Sequence, residues 1–97
     1  GNFVIFMDNK TRCQSCGMPL DDGFFGTLRD GTQTQEYCKF CFQDGVYLQP
    51  DLTQDDMIQM SIDNMTEKLK MSVTEAEKLA NLHIPVLKRW KKQLSLN

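Results

Sequence analysis

The chain has 97 residues and a formal charge of −2, with 40% hydrophobic and 25% charged residues. That balance is ordinary for a soluble globular protein and offers no overall attraction to nucleic acid or to an anionic membrane. No run approaches the ~18 to 20 apolar residues of a membrane span. The length allows one compact domain, small enough to gain from a metal staple.

Residues 1–10 read as an N-terminal arm. Phe3-Val-Ile-Phe-Met7 is too short for a signal-peptide core and lacks a basic flank. It reads as an edge strand or hydrophobic arm that packs on the body. Gly1 reads as a residue left by tag removal, and Met7 as an alternative start.

Residues 11–45 carry the dominant feature, two pairs of cysteines: Cys13-Gln-Ser-Cys16 and Cys38-Lys-Phe-Cys41. They are the only cysteines in the chain. Each pair can clamp one side of a tetrahedral ion, and the segment between can run out and back as a hairpin. Gly17 is suited to a positive φ that leaves backbone N–H groups facing the thiolates. Asp21-Asp22-Gly23 reads as a turn. Phe24 to Arg29 and Thr32 to Tyr37 read as strands, and Asp30-Gly31 between them as a type I′ turn. That hairpin returns Cys38 to Cys13 and Cys16.

The connector holds a second turn at Asp44-Gly45 and a break at Pro50. Thr53 then reads as the N-cap of a helix reaching Lys70, with Asp55 and Asp56 in its first turn. Met57, Ile58, Ile62, Met65 and Leu69 share one face. The Met-rich stripe reads as core, with an adaptable partner groove as the alternative. Ser72-x-x-Glu75 opens a second helix. Ala76, Leu79, Ala80, His83, Leu87, Trp90 and Leu94 would share its face, with a kink or break near Pro85. The helical region spans 51–97. The fold class is therefore α+β: a four-cysteine zinc ribbon followed by a pair of amphipathic helices packed on it.

Four motifs together resemble a known family. They are Cys13-Gln-Ser-Cys-Gly-Met-Pro-Leu20, Glu36-Tyr-Cys-Lys-Phe-Cys-Phe-Gln-Asp-Gly45, Gln49-Pro-Asp-Leu-Thr53 and Leu87-Lys-Arg-Trp-Lys91. They are similar to a group of small prokaryotic zinc ribbon domain proteins, over about Arg12 to Lys92. The resemblance implies zinc on Cys13, Cys16, Cys38 and Cys41, followed by helices. It implies little about activity. Some members carry the domain beside transcription-regulator modules, which hints at regulation.

Soft thiolates in fours suit zinc, one ion per chain, and a closed shell leaves no position for a catalytic water. Iron is the lesser candidate, because rubredoxin-type sites carry Gly after both knuckles and Phe42 follows Cys41 here. Two disulfides would be the reading for a secreted chain; the expected compartment is the cytoplasm. Loss of metal is expected to unfold residues 11–42. Phe24, Phe25, Phe40 and Phe42 flank the cysteines, and one or two should shield the thiolates. His83, the single histidine, reads as a partly buried helix residue.

Lys88, Arg89, Lys91 and Lys92 surround Trp90. They read as a solvated face at a helix C-terminus, or as a nucleic-acid or partner contact. With one histidine and no nucleophile motif, no enzyme is indicated. The leading expectation is a non-enzymatic zinc-binding interaction module, regulatory in role, with a protein partner or self-association and no small-molecule substrate. The alternatives are a nucleic-acid-binding ribbon using the hairpin and the basic helix, and a thiol or zinc redox sensor.

Overall fold

The computed structural model describes residues 11–91. The N-terminal arm, Lys92 and Leu94 lie outside the described residues. Two small antiparallel hairpins are followed by helices, an α+β arrangement.

The first hairpin pairs β1 (Phe25–Thr27) with β2 (Gln33–Cys38), Phe25 opposite Cys38 and Thr27 opposite Gln33. Its turn differs from the expected type I′, which needs positive φ at two adjacent residues. Here only Gly31 has positive φ, +89°. Gly31 N–H donates to the Leu28 carbonyl and Leu28 N–H to the Thr32 carbonyl. Asp30 Oδ1 accepts from both the N–H and the hydroxyl of Thr32. That local bonding supports Asp30 in an ordinary turn conformation and leaves Gly31 alone in the left-handed region. The result is a longer loop with a shorter β1 than the strand pattern indicates.

The two-residue turn instead forms at the other Asp-Gly pair. Asp44 and Gly45 have φ of 53° and 81°. They join β3 (Phe42–Gln43) to β4 (Val46–Tyr47), with Phe42 opposite Tyr47. The connector therefore contains a second hairpin. It folds back on the first: Asp44 N–H donates to Thr27 Oγ1 and Gly45 N–H to the Thr27 carbonyl. Gly26 makes this crossing possible. A Cβ there would collide with the Phe42 carbonyl oxygen and crowd those of Cys38 and Tyr37.

Helix α1 (Gln54–Lys68) starts at a reciprocal cap. Thr53 Oγ1 accepts from Asp56 N–H, and Asp56 Oδ2 accepts from Thr53 N–H, each at 3.0 Å. The helix stops short of Lys70, which adopts φ of 58° and turns the chain so that Met71 N–H reaches the Met65 carbonyl. Ser72 Oγ accepts from Glu75 N–H to open α2 (Val73–His83).

Pro85 breaks the second helical run. Helix α2 ends at His83, Ile84–Val86 form a 3₁₀ turn, and Leu87 is extended at ψ of 151°. A short helix α3 (Lys88–Lys91) follows. The shared core joins Met57, Ile62 and Met65 of α1 to Ala76 and Ala80 of α2, closed by Met71, Ile84 and Trp90. The expected stripe is thus largely inside. Leu69 is the departure, half exposed because α1 ends before it. Cys16 and Cys41 pack against this core from the ribbon side, and a second cluster of Cys13, Leu20 and Cys38 lies within the ribbon.

Candidate metal centre

Cys13 and Cys16 sit on a tight loop held by a bridge between Arg12 and Pro19. Cys13 N–H donates to the Met18 carbonyl, and Gly17 N–H to the Cys13 carbonyl, with Gly17 at φ of 82°. This conformation points two backbone N–H groups, those of Ser15 and Cys16, at Cys13 Sγ, both at 3.4 Å. Such donors are the usual outer support of a thiolate ligand. Cys38 ends β2 and Cys41 follows on a turn closed by Cys41 N–H to the Cys38 carbonyl.

The four sulfur atoms all lie within 4.8 Å of one another. Zinc–sulfur bonds of about 2.3 Å in a tetrahedron place sulfurs about 3.8 Å apart. Cys16 Sγ and Cys38 Sγ are 3.8 Å apart, the edge of such a tetrahedron and far beyond a disulfide bond. No disulfide joins any two of the four cysteines. The donor set therefore fits a metal ion of zinc's size and softness. Hydrogen bonds from Cys16, Cys38 and Cys41 and from the Cys16 N–H pull the Cys13 thiol well below its ordinary value, against the cost of burial.

Cys13 and Cys38 are fully buried, whereas Cys16 and Cys41 are partly exposed. Of the four phenylalanines near the site, Phe25 packs on the sulfur cluster. Phe24 and Phe40 stand outward, Phe40 at 60% exposure, with Lys39 Nζ 5.4 Å from each ring. Phe42 turns to an aromatic group instead: it stacks on Tyr37 at 4.7 Å, with Tyr47 edge-on to both. Tyr47 donates its hydroxyl to that of Tyr37, and burial pushes Tyr37 above the ordinary tyrosine value.

The basic residues around Trp90 have specific places. Lys88 Nζ pairs with Glu36 at 3.0 Å, and Lys88 N–H donates to Gln14 Oε1. Arg89 lies between rings, 4.1 Å from the centre of Tyr47 and 4.6 Å from that of Trp90. Its guanidinium donates to Ser15 Oγ and to the Gln49 carbonyl. Lys91 is exposed, and Trp90 is 1% exposed. Trp90 Nε1 donates to the Ser15 carbonyl at 2.8 Å, and Arg89 N–H to the Gln14 carbonyl. Gln14 and Ser15 are the two residues between the first pair of ligands. The C-terminal turn thus docks directly on the metal loop, a contact that neither the cysteine spacing nor the helical phase signals.

His83 is half-buried at the end of α2. Desolvation first, and the nearby Arg12 charge second, lower its pKa below the ordinary 6.5. It stands apart from the cysteine group.

A four-cysteine ribbon closed by a helical cap defines the class: a zinc ribbon protein, whose fold is in general a structural rather than a catalytic module. A family model described as "Putative zinc ribbon domain" matches residues 12–91, and the chain belongs to that family. No curated protein and no solved structure gives a match. No described helix is long and apolar enough to cross a membrane.

Proposed function

We propose that the protein is a zinc-stabilised, non-enzymatic interaction module of a reducing, cytoplasmic compartment, regulatory in role and acting through a protein partner. The observation that carries the reading is the group of four cysteine sulfurs within 4.8 Å of one another, one pair at the 3.8 Å edge of a zinc–thiolate tetrahedron. When bound, zinc would supply structure: Cys13, Cys16, Cys38 and Cys41 would fill its four positions and leave none for water or substrate. Zinc binding in small domains is worth roughly 10–16 kcal/mol, as large as the whole stability of such a fold.

The nucleic-acid reading ranks lower, because Glu36 engages Lys88 and two aromatic rings hold Arg89. A redox-sensing role has one supporting observation, the partial exposure of Cys16 and Cys41.

Native mass spectrometry before and after a strong chelator tests the proposal. The expected result is one zinc per chain, lost together with the compact charge states. A metal-free mass four protons light would mean two disulfides and would overturn it.

A further inference from the structure

Two of the peptide units that join Cys13 to Cys16, Gln14–Ser15 and Ser15–Cys16, are engaged at both edges. The N–H of the first belongs to Ser15 and that of the second to Cys16, and each reaches Cys13 Sγ at 3.4 Å. The C=O of the first belongs to Gln14 and accepts from the Arg89 N–H at 3.1 Å. The C=O of the second belongs to Ser15 and accepts from Trp90 Nε1 at 2.8 Å. Each unit therefore has its N–H edge on a candidate metal ligand and its C=O edge on the C-terminal turn.

A trans peptide unit is planar, with N–H and C=O on opposite edges, so fixing one edge fixes the direction of the other. Both units are trans. Turning the Ser15–Cys16 unit away from Cys13 Sγ would pull the Ser15 carbonyl off the indole N–H, and the reverse holds equally. Hydrogen bonds in series also polarise one another, so a C=O that accepts makes the N–H of its own unit a stronger donor. The grip is dry: Ser15 is 0% exposed and Trp90 1%. The Arg89 guanidinium adds a bond to Ser15 Oγ at 3.0 Å, which engages every polar group of Ser15.

We infer that Trp90 and Arg89 are positioning residues of the metal centre: through the carbonyls of Gln14 and Ser15 they aim two N–H groups at Cys13 Sγ, and so set how tightly the ion is held. The inference rests on the zinc-binding reading and adds the residues that tune it. N–H donors orient a thiolate ligand and spread its negative charge. A C-terminal turn that lets go frees both units to rotate, and the hold on the ion weakens although all four cysteines remain.

The test uses the full chain, loaded with zinc to measure affinity and with ¹¹³Cd for NMR. An amide proton in an N–H···S bond to a cadmium-bound sulfur shows a scalar coupling to ¹¹³Cd. The parent is expected to show it at the Ser15 and Cys16 amides. Trp90→Phe removes the indole donor and keeps an aromatic ring. It should weaken zinc at least tenfold in competition with a chelator of known affinity. It should also reduce or abolish the coupling at Cys16, whose unit the indole holds, more than that at Ser15, whose unit the Arg89 N–H holds. A tryptophan analogue with sulfur in place of the indole N–H, incorporated at Trp90, keeps the shape of the side chain and should act in the same way. It decides the matter if Trp90→Phe folds poorly. Ile62→Ala, in the same core but on α1, is the control for lost packing. It should lower Tm and leave the coupling at Cys16 in place.

Zinc affinity and Cys16 coupling that match the parent in the analogue overturn the inference. So does a parent without the Cys16 coupling, or an Ile62→Ala protein that loses this coupling as the Trp90 variants do. A parent chain that binds neither ion overturns the zinc-binding reading and this inference with it, whereas unaffected variants of a zinc-loaded parent overturn this inference alone.

Discussion

At the residue scale, Gly26 sits where the two hairpins cross, with the Phe42 carbonyl oxygen where a Cβ would stand. Gly26→Ala should cost about 1–3 kcal/mol, because β1 and β3 must separate to admit the methyl group. Denaturant unfolding of the zinc-loaded variant measures it, and an unchanged midpoint would contradict the crossing. The cysteines were legible from spacing, because two Cys-x-x-Cys pairs name their own chemistry. Gly26 was not, although an isolated glycine inside a strand run marks a close backbone approach. Lys70 is the opposite case, a side chain where the backbone favours glycine. Lys70→Gly is expected to stabilise by about 0.5–1 kcal/mol, the relief of left-handed strain less the added entropy of the unfolded chain, read as a rise of a few degrees in Tm. His83 supplies a pH dependence. Its folded pKa lies below 6.5, so the folded state favours the neutral ring. Its contribution to stability is fully present above the unfolded value and is lost as pH falls through the folded one. An NMR titration of the ring in zinc-loaded protein should give a midpoint below 6.5; a midpoint at or above it would show that burial and Arg12 do not act as described.

At the scale of elements, the helices were readable because caps and periodicity agree: Thr53 and Ser72 both cap where the sequence places them. The hairpins were harder. Two Asp-Gly pairs carry the same turn signal, and their neighbours decide the outcome. Thr32 gives Asp30 a local bond and lengthens the first loop, while Phe42 and Tyr47 pair across Asp44-Gly45 and tighten the second. The break near Pro85 and the helical stretch beyond it were legible from proline and the apolar phase, but the docking of that stretch was not. Leu87 is extended, and a tertiary contact with Gln14 and Ser15 fixes the last turn. Arg89 is the hinge of that contact. Arg89→Ala should cost about 2–3 kcal/mol through two hydrogen bonds and two ring contacts. Arg89→Lys should recover little of it, since an ammonium cannot reproduce the planar fork between rings. Lys91→Ala is the exposed control, expected within ±0.5 kcal/mol of the parent. Equal losses for Arg89→Ala and Lys91→Ala in thermal unfolding would refute this assignment.

At the scale of the whole molecule, the contacts between ligand loop and helices predict that metal and helices behave as one cooperative unit. The sequence suggests that removing metal unfolds residues 11–42. The docking of residues 87–91 on the ligand loop extends that expectation to the helical cap. Cys16 and Cys41 pack against the same core as Met57 and Trp90, so loss of the ribbon uncovers one side of that core. Cys41→Ser, or chelation, should therefore remove helical circular dichroism along with the ribbon's dispersed NMR signals, in one transition. Helical signal that survives complete metal loss would separate the two halves. The position of Trp90 has a practical corollary. It is the only tryptophan, its indole N–H is bonded to a carbonyl between two ligands, and solvent hardly reaches it. Its emission spectrum should move to longer wavelength as the ion leaves and water arrives. The protein thus carries an intrinsic optical gauge of its own metal occupancy, and a competition titration against a chelator of known affinity can be followed by fluorescence with no label added.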